Sequence, residues 1–218
     1  MTSLSVLVGE FNFTNTLVII TFLYALYLRA IKKGYPLYLL VLLALGFLNE
    51  GLSIANDYFS WNIVLFNDLY VICHHLIWLL LLRQFQEDKR LVNLLIASFF
   101  IFSITEMLVL RQKNYICYSF VIGSLFYLVL FFNENFKQLK KEKFDFIFSN
   151  YFLLLSAPIL FFLGMSLMFA FVERKIRTTL VLSTFSLYEI VNYFTNLIYY
   201  VLILIYLYRQ GRLQYERI

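Results

Sequence analysis

The run SNYFLLLSAPILFFLGMSLMFAF, residues 149–171, contains 23 consecutive residues without a charged side chain. About 20 apolar residues in a helix cross the ~30 Å hydrocarbon core of a bilayer, so the length fits one crossing. The period-two alternation of membrane β-strands is absent from the chain. The run therefore predicts a transmembrane helix.

Six further apolar runs of spanning length occur along the chain. The seven predicted spans are residues 15–31, 36–56, 61–83, 91–110, 115–132, 148–171 and 185–208. With 62% hydrophobic and 14% charged residues and a mean hydropathy of +0.78, the 218-residue chain is too apolar for a soluble globule of its size. We expect an all-α polytopic membrane protein, a seven-transmembrane-helix bundle in which residues 1–218 form a single domain.

The distribution of Lys and Arg predicts the orientation of this bundle. With seven spans, thirteen of the 18 basic residues fall on one side of the membrane. The other side receives Arg111, Lys113, Arg174, Lys175 and Arg177. Because basic residues accumulate in cytoplasmic loops, we expect the N-terminus outside and the C-terminus in the cytoplasm. The net charge of +5 follows from this bias and requires no nucleic-acid partner.

Four carboxylates fall at a similar depth within the predicted spans, in the half nearer the outside: Glu50, Asp68, Glu106 and Glu189. Acids are costly against lipid, so this pattern predicts a water-filled pocket open to the outside. Neighbouring amides extend the candidate ligand or ion pocket: Asn49, Asn67 and Asn192. The alternative is that the acids lie at helix ends and reach the interface, and Ser186-Leu-Tyr-Glu189 fits a helix-capping box.

Both histidines lie in NDLYVICHHLIW, residues 67–78, and are candidate proton-handling residues. Asp68 and His75 share a helix face but are separated by about 10 Å along its axis, which is too far for a dyad. The alternative role for His74 and His75 is hydrogen bonding between helices. Below His75 the run LIWLLLL, residues 76–82, predicts an apolar plug, which favours a pocket over an open pore.

Span seven carries a polar stripe at three- and four-residue steps, formed by Glu189, Asn192 or Tyr193, Asn196 and Tyr200. Asparagine amides on such a stripe either line a pocket or hydrogen-bond to neighbouring helices. Both interpretations stay open.

Metal and cofactor chemistry have little support in the sequence. Intramembrane zinc hydrolases of the ceramidase and progestin-receptor-like group carry several histidines, whereas this chain has two. Cys73 and Cys117 differ in predicted depth by about 10 Å, which predicts two packing residues and no disulfide. No nucleotide-binding or nucleophile motif is present. We therefore expect no metal, no cofactor and no enzymatic activity.

Seven closely spaced helices with short loops, about 220 residues in all, resemble the small seven-helix membrane sensor modules of bacteria. That resemblance implies a receptor-like or signalling-accessory protein of the bacterial inner membrane. The chain ends at YRQGRLQYERI without an output domain, so we expect a protein partner that carries the signal, or a homo-oligomer. Two alternatives stay open, namely a cation or proton transporter or channel subunit, and a non-catalytic membrane subunit or membrane-disrupting effector.

Overall fold

The computed structural model of the chain describes residues 13–31, 37–59, 63–86, 88–110, 117–142, 144–170, 179–182 and 185–215. Its described part contains seven helices that are long and apolar enough to cross a membrane. They are α1 (Phe13–Ile31), α2 (Leu37–Phe59), α3 (Val64–Arg83), α4 (Lys89–Thr105), α5 (Cys117–Lys140), α6 (Asn150–Ala170) and α7 (Leu187–Tyr215). The predicted seven membrane-length helices are thereby confirmed.

Three short elements accompany the long helices. A π-helical turn, Glu106–Leu110, extends α4, and a 3-10 turn, Phe144–Phe146, precedes α6. The strands β1 (Leu180–Leu182) and β2 (Phe185–Ser186) form a small antiparallel hairpin immediately before α7. The all-α prediction did not include this hairpin, because strands of two or three residues leave no periodic pattern to detect.

Two helices extend seven or eight residues beyond the ends of their predicted spans. Helix α5 continues from residue 132 to Lys140, and α7 continues from residue 208 to Tyr215. Hydropathy marks only the apolar core of a span, whereas a helix continues into polar sequence because its backbone bonds are internal. The extension of α5 also gains a hydrogen bond of 2.6 Å from Gln138 Nε2 to Glu134 Oε1 and ends in lysines, which the helix dipole favours.

Neighbouring helices are antiparallel because short connections reverse the chain between them. The ring of Phe120 near the start of α5, for example, lies 4.9 Å from the ring of Phe169 near the end of α6. The starts of α1, α3, α5 and α7 therefore share one end of the bundle with the ends of α2, α4 and α6. We call this the N-terminal end and the other the opposite end.

The core combines leucines with aromatic side chains, which include fully buried Trp78, Tyr127 and Phe162. Gly123 allows α5 to pack closely against α3 at this level. A Cβ atom at Gly123 would lie 2.6 Å from His75 Cδ2 and 2.7 Å from Phe99 Cε2. Small residues permit such close helix contacts in membranes, so this glycine fixes the position of the His75 ring.

Candidate functional site

The hydroxyl group of Tyr199 joins α7 to α3 in the middle of the bundle. Trp78 Nε1 donates a hydrogen bond of 3.2 Å to it, and His74 Nε2 lies 3.3 Å from the same oxygen. Because an indole N–H only donates, the Tyr199 hydrogen is available to a neutral His74 ring. All three side chains are buried. We call Trp78, Tyr199 and His74 the Tyr199 network.

His75 makes a second interhelical contact, from α3 to α5. Its Nδ1 lies 2.8 Å from the carbonyl oxygen of Val71, and its Nε2 lies 3.1 Å from Ser124 Oγ. Since a carbonyl group only accepts, Nδ1 carries the hydrogen, and Nε2 of the neutral ring accepts from Ser124. The ring also stacks on Phe162 with centroids 4.7 Å apart. Both ring nitrogens of His75 are thus engaged in holding the bundle together.

Glu50 in α2 lies close to the Tyr199 network. Its half-buried carboxyl group interacts electrostatically with Tyr70 in α3 and with Tyr200 in α7. The ring of Tyr70 lies 5.4 Å from that of His74, and the ring of Tyr200 lies 4.8 Å from that of Tyr199. One tyrosine on α3 and one on α7 therefore lie between Glu50 and the Tyr199 network.

The amides beside the predicted acids differ in their surroundings. Asn49, next to Glu50, has a buried Oδ1 that makes no hydrogen bond with any described residue. Asn67 is half-buried in the first turn of α3, and its backbone N–H donates to Ile63.

Asp68 is also buried, with 1% of its surface exposed. It precedes Tyr70 by two residues, and two residues rotate about 200° around a helix. Position 68 therefore faces away from Tyr70, the residue on α3 that interacts with Glu50. That Glu50 and Asp68 share one pocket stays a prediction.

Glu106, in the π-helical turn after α4, caps the start of α5. One carboxylate oxygen accepts 3.1 Å from the backbone N–H of Tyr118. The other accepts 2.7 Å from the backbone N–H of Ser119 and also accepts from the Ser119 hydroxyl group. Free N–H groups at a helix start favour a carboxylate, so this buried acid has a structural role that sequence spacing did not reveal.

Glu189 forms the predicted capping box at the start of α7. Its Oε2 accepts from the Ser186 backbone N–H at 2.8 Å and from the Ser186 hydroxyl group at 2.7 Å. In return, the Glu189 N–H donates to Ser186 Oγ at 3.2 Å. The side chain is exposed. The capping-box prediction is confirmed.

Further along α7, the amide group of Asn196 donates to Asn192, at 2.9 Å to its carbonyl oxygen and 2.8 Å to its Oδ1. This pair is local to one helix.

Sequence reasoning missed Glu134, which lies in α5 near the opposite end and is 2% exposed. Gln138 binds its Oε1, whereas its Oε2 makes no hydrogen bond with the described residues. One helical turn before Glu134, the carbonyl oxygen of Leu130 accepts a hydrogen bond of 2.8 Å from Gln86 Nε2. Glu134 lay outside the predicted span, but its four-residue spacing from Gln138 indicated a continuing helix.

Among the described residues, no three His, Cys, Asp or Glu side chains lie close enough together to hold a metal ion. Cys73 is a free, half-buried thiol, and the side chain of Cys117 lies outside the described part. No family model, curated protein or solved structure matches the chain. Its function has to be inferred from the residues themselves.

Proposed function

We propose that the chain is a receptor-like or signalling-accessory membrane protein. A small cationic or polar ligand, or a proton, acts at Glu50 and alters the packing of α3 against α7. The observation that supports this most is the electrostatic interaction of Glu50 with Tyr70 and Tyr200, which lie next to the Tyr199 network. A ligand shifts such an equilibrium only if it binds one packing arrangement more tightly, and a change in charge at Glu50 provides that difference.

The proposed ligand reaches Glu50 from outside the cell. Every Lys and Arg in the described part lies at the opposite end of the bundle, and all of the predicted pocket acids lie in the other half. The positive-inside rule then favours a cytoplasmic opposite end and an external N-terminus. The proposed location in a bacterial inner membrane rests on the resemblance to bacterial sensor modules. The proposed receiver of the signal is a partner protein or a second copy of the chain, bound near the cytoplasmic extension of α7.

A cation or proton transporter is the second candidate. The observation that favours it is the continuation of buried polar groups past His75, through Trp78 and Gln86 to Glu134. The run predicted as an apolar plug thus contains a hydrogen-bonded indole. A transporter would use Glu134 as an acceptor near the cytoplasmic end, whereas the receptor has no need of it.

Trp78 provides a direct test of the receptor. The chain has two tryptophans, so Trp61→Phe leaves Trp78 as the only one, bonded to Tyr199. In reconstituted protein, Trp78 emission is followed while pH or tetramethylammonium, a small cationic probe, is varied. We expect a saturable change that Glu50→Gln abolishes and the matched variant Glu189→Gln retains. An unresponsive parent protein, or equal loss in both variants, contradicts the proposal.

A further inference from the structure

The connection between α5 and α6 exposes large aromatic side chains beside lysines. Phe136 is 62% exposed, Phe144 is 57% exposed and Phe148 is 79% exposed. Lys140 and Lys141 between them are exposed too. We call these five residues the α5–α6 surface. Its mixture of phenylalanine and basic residues is typical of segments that lie in a membrane interface.

The backbone holds the α5–α6 surface together. Helix α5 ends at Lys140, and Glu142 adopts a left-handed φ of 55°, which turns the chain sharply. Phe144 N–H then donates 3.1 Å to the Glu142 carbonyl, and Ile147 N–H donates 3.0 Å to the Phe144 carbonyl. Since residue 142 is not glycine, this turn carries a conformational cost. The turn brings the lysines and phenylalanines to one place at the end of the bundle.

The length of α5 predicts the depth of this surface. Its 24 residues span about 36 Å, slightly more than the ~30 Å apolar core of a bilayer. Lys140 therefore reaches the headgroup level, where lysines attract anionic lipids. Phe136 lies one turn deeper, in line with exposed Phe132 and Val129 on the lipid-facing side of the same helix. This continuity favours a lipid over a protein partner as the occupant.

We propose that the α5–α6 surface binds an anionic phospholipid of the leaflet at the opposite end. The phosphate-bearing headgroup lies on Lys140 and Lys141, and the acyl chains lie against the phenylalanines. Glu142 and Asp145 offset part of the positive charge of this segment, so binding depends on the apolar contact as well as on the lysines. This proposal does not depend on the proposed receptor function.

The test uses the full chain in phosphatidylcholine bilayers with spin-labelled phosphatidylglycerol or spin-labelled phosphatidylcholine. Electron paramagnetic resonance measures the association of each lipid with the protein. We expect the wild-type protein to prefer phosphatidylglycerol. The double variant Lys140→Gln with Lys141→Gln is expected to lower this preference by about fivefold per lysine. Lys140→Arg with Lys141→Arg retains it. Salt at about 1 M, where the Debye length is ~3 Å, reduces the preference.

Lys89→Gln with Arg90→Gln is the matched control, because these exposed cations lie at the same end on α4. We expect this pair to leave the preference nearly unchanged. Equal loss in the control, or no preference in the wild type, overturns the proposal. Competition by millimolar glycerol 3-phosphate would identify a soluble phosphate site instead, and insensitivity to salt would favour a protein-binding surface. Both outcomes also contradict lipid binding.

Discussion

The indole nitrogen of Trp78 lies 3.2 Å from the hydroxyl oxygen of Tyr199, although 121 residues separate the two in sequence. The same oxygen is 3.3 Å from His74 Nε2. One hydroxyl group on α7 therefore satisfies two ring nitrogens on α3. Because buried polar groups without partners are costly, the rotation of α7 about its axis is tied to that of α3.

Tyr199→Phe removes this hydroxyl group while retaining the ring. We expect the free energy of unfolding to fall by about 1–3 kcal/mol, because Trp78 and His74 each lose a buried partner. Unfolding in detergent micelles by added denaturant measures the change. Tyr208→Phe is the matched control, since Tyr208 is exposed on the same helix. A similar small effect for both variants would mean that the hydroxyl group of Tyr199 contributes little.

Gly123→Ala is expected to destabilise the bundle by about 1–3 kcal/mol through overpacking. The new methyl group would lie 2.6 Å from His75 Cδ2, so the ring must move and its bond to Ser124 weakens. Gly51→Ala is the matched control, because no atom lies within 4 Å of the new methyl group. A helical Gly→Ala change with free space stabilises by up to about 1 kcal/mol. Opposite signs for the two variants in the same unfolding assay would support this packing.

Glu106→Gln is expected to cost about 0.5–2 kcal/mol, because an amide supplies only one acceptor oxygen and Glu106 uses both. Glu189→Gln costs less, since a single oxygen of Glu189 accepts both bonds from Ser186. Thermal unfolding in detergent micelles measures the loss of stability in each of the two variants. Loss of a ligand response in Glu106→Gln without loss of stability would instead support the prediction that Glu106 lines the pocket.

His75→Gln is expected to preserve the fold and most function, because a glutamine can still hydrogen-bond to Ser124. Asp68→Asn is expected to impair the response to ligand. Proton flux is measured in liposomes from about pH 5 to 8, the range in which histidine changes charge. Selective loss of a pH-dependent flux in His75→Gln, with assembly intact, would favour the transporter. His75→Leu controls for the hydrogen bond, since it cannot bind Ser124.

The orientation predicts that a reporter fused after Ile218 is cytoplasmic. A cysteine at Asn114 is expected to react with an impermeant reagent added outside the cell. Both positions lie outside the described part of the structure, so this prediction rests on the Lys and Arg bias. A cysteine replacing exposed Lys141 is the matched control and should be protected. Reversed labelling would mean that the bundle has the opposite orientation, with Glu50 on the cytoplasmic side.

Hydropathy predicted the seven helices to within a few residues at most ends, because an apolar run must match the membrane thickness. The capping box of Glu189 was predictable too, since its two partners are three residues apart. Both predictions depended only on residues that are close together in the sequence.

The contacts between helices were not predictable in the same way. Depth predicted that Glu50 and Asp68 share a pocket, but depth contains no information about the rotation of a helix about its axis. Position 68 lies about 200° around α3 from Tyr70, which interacts with Glu50. Tyr199 likewise appeared to be one aromatic among many, because its partner Trp78 is distant in sequence. Glu134 was missed because the predicted span ended at residue 132, whereas α5 continues to Lys140.

The Tyr199 network also imposes an order on biogenesis. At a synthesis rate of ~5–20 residues per second, the ribosome needs about 6–24 s to travel the 121 residues from Trp78 to Tyr199. During that interval α3 enters the membrane before its hydroxyl partner has been made. Its indole and imidazole groups must be sheltered by the insertion machinery, by water or by another helix. A nascent chain that stalls after α6 thus exposes unsatisfied polar groups, by which membrane quality control can distinguish it from the complete protein.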